Sequence, residues 1–143
     1  MNEQANVQVV RAAYAAFRRG DIASLLSSLG ENVTWVAAEI EPVAGTYRGR
    51  AEVGEFFRKV NDIVDYSSFE PEEFVAQGDR VIVLGSYRGK AKATGRFYEC
   101  DWAMAFTVEH GQITEFQEFT DTAVVKAALD ASPASASAAG GAR

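Results

Sequence analysis

Cysteine and histidine are almost missing from this 143-residue chain, which holds one of each, Cys100 and His110. A lone cysteine excludes an intrachain disulfide, and a lone histidine excludes a multi-histidine metal centre, so no metal site is expected. Positive charge is also scarce: 14 Lys and Arg stand against 20 Asp and Glu, a formal net charge of -6. Phosphate-binding surfaces rely on clustered cations, so nucleic acid is not expected as a partner. No stretch approaches the roughly 18 apolar residues of a membrane span, and the opening MNEQANVQ lacks the basic and apolar segments of a secretion signal. The expectation is a soluble, cytoplasmic protein with no membrane partner. The glycines of GTYRGR and YRGKAKATGR do not sit between a strand and a helix in a phosphate-cradling pattern. They read as turns, and no cofactor is expected.

What is present is a chain of 48% hydrophobic composition, enough for one domain with a real core. In QANVQVVRAAYAAFRR, residues Val7, Val10, Ala13, Tyr14 and Phe17 recur at helical spacing, and Gly20 follows as a stop. Asp21 is placed to cap a second, short helix with Ile22, Leu25, Leu26 and Leu29 on its apolar side. VTWVAA, at 33–38, reads as a strand, and the segment from Glu39 to Arg50 as a loop broken by Pro42, Gly45 and Gly49. A third helix spans about Ala51 to Ile63, burying Val53, Phe56, Phe57, Val60 and Ile63. From Tyr66 onward four strand-like runs follow, most separated by short turns such as His110–Gly111, which implies an antiparallel meander. Strands of this length need one covered face, so the three helices must cover the sheet in an α+β layer architecture. Residues 1–130 form the expected domain. Residues 131–143, poor in large side chains, are expected to be a disordered tail.

The two-residue period of YECDWAMAF puts Tyr98, Cys100, Trp102, Met104 and Phe106 on one face and Glu99, Asp101, Ala103 and Ala105 on the other. The bulky face turns to the helices, as core or as the wall of a ligand space. The small face allows close approach of a second sheet, so homodimerisation is expected there. Cys100, with no histidine at a readable spacing, is expected to be an inert thiol. His110 is expected to be solvated on its turn. Glu39, Glu41, Glu70, Glu72 and Glu73 fall in loop-like segments or near strand ends and are expected mostly on the solvated surface.

ITEFQEFTDT, residues 113–122, is different. Its period places Phe116 and Glu118 on one face, with Ile113, Gln117 and Phe119 on the outer, partner-facing side. A carboxylate desolvated by aromatic neighbours has a raised pKa and can carry a proton near neutral pH; the alternative is a carboxylate tied by Arg or Lys. Asp121 more simply caps the TAVVKAAL helix that follows.

With AAYAAFRRGD, ENVTW, YRGRAEVGEFF and TVEHGQITEFQEFTDT in this order, the chain resembles the nuclear-transport-factor-2-like (NTF2-like) superfamily over residues 5 to 130. That superfamily includes ketosteroid isomerases, limonene epoxide hydrolase and the SnoaL-like polyketide cyclases. The resemblance implies a cone-shaped fold of cystatin-like type, a curved mixed or antiparallel sheet covered by three helices of the N-terminal half. The isomerases' tyrosine, base and acid donor fall here on Ala13, Ala37 and Cys100, so their mechanism is not expected. Of the epoxide hydrolase constellation only the last-strand carboxylate is retained, as Glu118. The SnoaL-like cyclases use a late-strand carboxylate as acid and base, and Glu118 is its counterpart by resemblance.

Two functions remain open. One is a SnoaL-like cyclase, lyase or isomerase acting on an apolar carbonyl compound, with Glu118 as proton carrier and Tyr87 as hydrogen-bond donor. Its ligand space would be formed by Trp35, Phe56, Tyr98, Trp102, Phe116, Cys100 and Tyr14. The other is a non-catalytic domain that binds an apolar small molecule in the same space. A domain whose interior is filled by its own side chains would exclude both.

Overall fold

The computed structural model describes residues 2–130, and the segment expected to be a disordered tail lies outside the described residues. The elements run α1 (Glu3–Arg18), α2 (Ile22–Ser27), β1 (Leu29–Ala37), β2 (Gly45–Arg48), α3 (Gly49–Ile63), β3 (Val64–Gln77), β4 (Arg80–Ala91), β5 (Phe97–Glu109), β6 (Gln112–Thr120) and α4 (Thr122–Leu129).

Local chemistry explains most of the boundaries. Asn2 caps α1 by accepting the Ala5 N–H at 2.7 Å, and Asp21 caps α2 by accepting the Ser24 N–H at 3.0 Å. Between them the Gly20 N–H donates to the Phe17 carbonyl and the Asp21 N–H to the Ala16 carbonyl, a Schellman closure. It requires the positive φ of 76° that Gly20 adopts without a Cβ penalty. Glu52 reaches back to accept the Arg48 N–H at 2.8 Å at the start of α3, and Asp121 caps α4 through the Val124 N–H at 3.2 Å.

The six strands form one sheet in the order β2-β1-β6-β5-β4-β3. β1 and β6 run parallel, and the other neighbouring pairs are antiparallel. The α+β class and the mixed sheet stand, but two expectations do not. The sheet is open and does not curl into a cone, since β2 and β3 are its two edges and do not pair with each other. There are also four helices among the described residues, and the fourth follows the last strand instead of lying in the N-terminal half. Both edges are poor templates for closure. β2 has only four residues, and β3 carries Pro71, which lacks an N–H, beside a register shift. β2 itself lies in the segment that reads as loop, and it is strand because Tyr47 and Arg48 pair with Trp35 and Thr34 of β1.

α1 lies over β3, β4 and β5, and α3 over β1, β2 and β3, so one sheet face is covered. Rows of side chains cross that inner face in register: Trp35, Phe116, Phe106 and Val81 form one, and Glu118, Met104 and Val83 the next. Glu118 therefore starts a row that is otherwise core. Ile113 departs from the strict alternation: it is fully buried, not partner-facing. The reason is a register shift that pairs it with Val108 while Glu115 pairs with Thr107. Gln117 and Phe119 do take the outer side, where Leu84, Ala103 and Phe119 form one cross-strand row.

The next inner row pairs Gly85 with Trp102. A Cβ on Gly85 would lie 2.3 Å from the Glu70 carbonyl oxygen and 2.5 Å from the Trp102 ring. Backbone cannot give way cheaply, so Gly85→Ala is expected to lower stability by about 1–3 kcal/mol. A reduced urea midpoint with an unchanged slope would register this loss.

Candidate active site

The inward position of Glu118 on β6 brings its carboxylate to the end of β1. There Oε1 accepts the backbone N–H groups of Ala38 at 3.0 Å and Glu39 at 3.1 Å. Oε2 accepts the Tyr87 hydroxyl at 3.2 Å, and Thr120 Oγ1 lies 2.7 Å from the same hydroxyl. A carboxylate with three donors is well placed to hold a negative charge. Burial raises its pKa, and the two backbone N–H groups and Tyr87 pull against that rise.

The chain leaving β1 carries a second buried carboxyl group. Glu39 is only 8% exposed, close to the 6% of Glu118. Its Oε1 accepts the Tyr66 hydroxyl at 2.5 Å, and its Oε2 accepts the Tyr98 hydroxyl in a short contact. Burial first, and then the charge of Glu118, push its pKa up to about 8, against the opposing effect of the two phenols. Burial and the neighbouring carboxylates also hold the Tyr66, Tyr87 and Tyr98 phenols above their ordinary range, so they remain donors at neutral pH. The result is a coupled acid pair in which Glu118 ionises first and Glu39 keeps its proton to higher pH.

Both glutamates line a cavity between the helices and the sheet. Its wall is otherwise mostly apolar, with Tyr14 and Phe17 from α1, Phe56 and Phe57 from α3, and Trp35 and Phe116 from the sheet. Trp35 stacks on Phe116 at 3.9 Å between ring centroids, and its indole Nε1 is buried with no partner among the described residues. The space open to the centres of water-sized molecules is about 70 Å³. The interior is therefore not filled by its own side chains.

The model of the SnoaL-like domain family matches residues 10–116. The chain belongs to the SnoaL-like family. An NTF2-like protein from Burkholderia xenovorans LB400 is 40% identical, with a TM-score of 0.83 over 90% of this chain and 98% of that one. TerC, in a crystal structure co-crystallized with polyporic acid, is 28% identical with a TM-score of 0.78 over 89% of this chain and 99% of that one. An uncharacterized protein of Mycobacterium tuberculosis (strain ATCC 25618 / H37Rv) is 29% identical over 119 residues, 83% of this chain and 91% of that protein.

Within this SnoaL-like domain, Tyr14, Trp35, Phe56, Phe116 and Glu118 all line the cavity. The other candidates lie behind its wall. Tyr87 is fully buried and meets Glu118, while Tyr98 meets Glu39. Trp102 stacks on Tyr14 at 5.8 Å, and Cys100 Sγ lies 3.5 Å from Thr120 Oγ1. Glu39, expected on the surface, is instead half of the acid pair, and Tyr66 was not singled out at all. A signal for Glu39 exists: Val33, Trp35, Ala37 and Glu39 continue one two-residue period, so a strand face extended by one step carries Glu39 inward. Nothing local marks Tyr66. Among the described residues no helix is long and apolar enough to cross a membrane.

The acid pair links folding to pH. Unfolded, Glu39 ionises near its ordinary 4.5; folded, it keeps its proton to about 8. Between these values the native state binds more protons than the unfolded state, so the contribution of Glu39 is complete below the lower value and lost as pH rises through the upper one. Denaturation followed from pH 5 to 9 should therefore show a falling stability that Glu39→Gln flattens. An unchanged slope in the variant would mean that another group sets it.

Proposed function

We propose that this SnoaL-like domain is a small-molecule enzyme in which Glu118 and Glu39 act as base and acid on an apolar carbonyl compound. The observation that carries this reading is the pairing of two buried carboxyl groups, one stabilised as an anion and one as an acid, on the wall of a single aromatic cavity. The Glu118 carboxylate takes a proton from the carbon next to the substrate carbonyl while the Glu39 carboxyl group gives its proton to the carbonyl oxygen, leaving an enol, a protonated Glu118 and an ionised Glu39. That enol can be reprotonated at another carbon or can attack a second carbonyl, which covers isomerisation and ring closure. Tyr87 acts through Glu118 as a positioning residue, and Tyr66 and Tyr98 do the same for Glu39. The co-crystallisation of TerC with polyporic acid supports ligand binding on this fold.

Hydrogen–deuterium exchange at the methyl group of acetophenone, followed by NMR, tests the chemistry without knowledge of the natural substrate. Glu118→Gln should slow the catalysed exchange by about 10²–10⁴-fold. In the intact protein exchange should rise as Glu118 ionises and fall near pH 8 as Glu39 loses its proton, and Glu39→Gln should remove that alkaline fall. Acetophenone binding with no exchange in the intact protein would favour the binding-only alternative, and persistence of exchange in Glu118→Gln would overturn the assignment of the base.

We also infer that the outer sheet face pairs with a second copy of the chain. Supporting this, Leu84 and Phe119 are 41% and 52% exposed in one row with the small Ala103 between them. Sedimentation should show a dimer that Leu84→Glu converts to monomer with the fold retained.

A further inference from the structure

The cavity is not isolated from the rest of the surface. Five of its wall residues, Phe17, Phe57, Val60, Tyr66 and Phe69, also line an outer groove between the helix ends and β3. By the same measure that groove holds about 780 Å³, against about 70 Å³ inside. The two spaces therefore share one partition of side chains, built from rings in mutual contact: Phe17 lies 4.8 Å from Phe69 and 5.7 Å from Phe57 between centroids. Groove-lining Gly20 and Gly54 carry no side chain to obstruct the outer approach.

Size and charge together define what such a two-part site takes. The inner cavity is much the smaller of the two spaces and is lined mostly by apolar rings, so it takes the apolar ring of a ligand. The groove is polar at its rim, with Asn61, Ser67 and Ser68. It also carries two cations and two anions, Arg18 and Arg58 with Asp65 and Glu70, each already matched. Arg18 pairs with Glu70 at 3.2 Å, Arg58 lies 3.8 Å from Asp62 and also meets Glu55, and Asp65 lies 3.6 Å from Lys92. Among the described residues the groove's two cations and two anions cancel, which leaves no net charge there to favour an ionic group.

We propose that the groove is the outer half of the ligand site, and that the substrate is an apolar carbonyl ring bearing an uncharged polar substituent that passes between Phe17, Phe57 and Phe69 into the groove. This extension rests on the reading of the inner cavity as the reactive site. The partition rings admit the substituent by turning about their side-chain torsions, so they set which substituents are accepted. The ring alone meets the two glutamates.

Isothermal titration calorimetry with two probes separates the two halves: acetophenone, and acetophenone carrying a neutral tri(ethylene glycol) ether at the para position. The chain-bearing probe should bind about tenfold tighter than acetophenone. Asn61→Trp and Ser68→Trp alter exposed residues that line only the groove. Either should abolish that gain and leave acetophenone binding unchanged. A para-carboxymethoxy analogue should gain no more than the neutral one. Equal affinity of the two probes, or a gain that survives both tryptophan variants, would overturn the extension while leaving the inner cavity as the reactive site. Failure of both probes to bind would overturn the cavity reading itself, and with it the extension.

Discussion

The hydrogen bonds from Ala38 N–H and Glu39 N–H to the Glu118 carboxylate are the constraint on which the site depends. They satisfy a buried anion with the two N–H groups that leave the end of β1, and they fix the direction of the chain there. That direction turns the Glu39 side chain inward to the Tyr66 and Tyr98 hydroxyls. A surface loop in its place would leave Glu118 Oε1 without a donor in an apolar wall, with only the Tyr87 hydroxyl left on Oε2. The same proximity forbids both carboxyl groups from ionising together at low cost, and this separates one base from one acid without any cation in the first set of contacts.

Around this pair the aromatic side chains are packed by alternation of large and small residues across neighbouring strands. Gly85 and Gly89 of β4 stand opposite Trp102 and Tyr98 of β5, and a side chain at either glycine would collide with the facing ring. The wall behind the cavity is therefore close-packed, with Tyr14, Trp102, Phe69 and Tyr87 in contact. Room remains toward α3 and the outer groove. In the proposed reading, fit to a ligand is set on the helical side, and the sheet side supplies the fixed carboxyl groups.

Much of this was legible from local pattern. The helical stripes of α1 and α3, the caps at Asp21 and Asp121, and the inward direction of Glu118 beside Phe116 all follow from periods of about 3.6 or 2 and from side-chain chemistry within a few residues. What escaped has a common physical cause, which is dependence on distant partners. Glu39 is inward because its partners are Tyr66 and Tyr98, 27 and 59 positions away. Ile113 changes side because of a register shift that only pairing with β5 defines. β2 is a strand because β1 lies beside it, and the sheet stays open because its two edges cannot meet productively. The resemblance to a superfamily supplied an expected shape, and the edge chemistry of this chain departs from it.

The parallel pairing of β1 with β6 has a consequence for how the domain comes into being. Glu118 is 80 residues from the Ala38 N–H that it accepts, and β6 must be in place before β1 has its neighbour on that side. Closing so long a loop is entropically costly and is repaid only when many non-local contacts form together. During synthesis α1, α2, α3 and β1 emerge long before β6, the strand that completes the acid pair. The site is thus absent from every N-terminal fragment shorter than about the whole domain, and its appearance coincides with cooperative closure of the sheet.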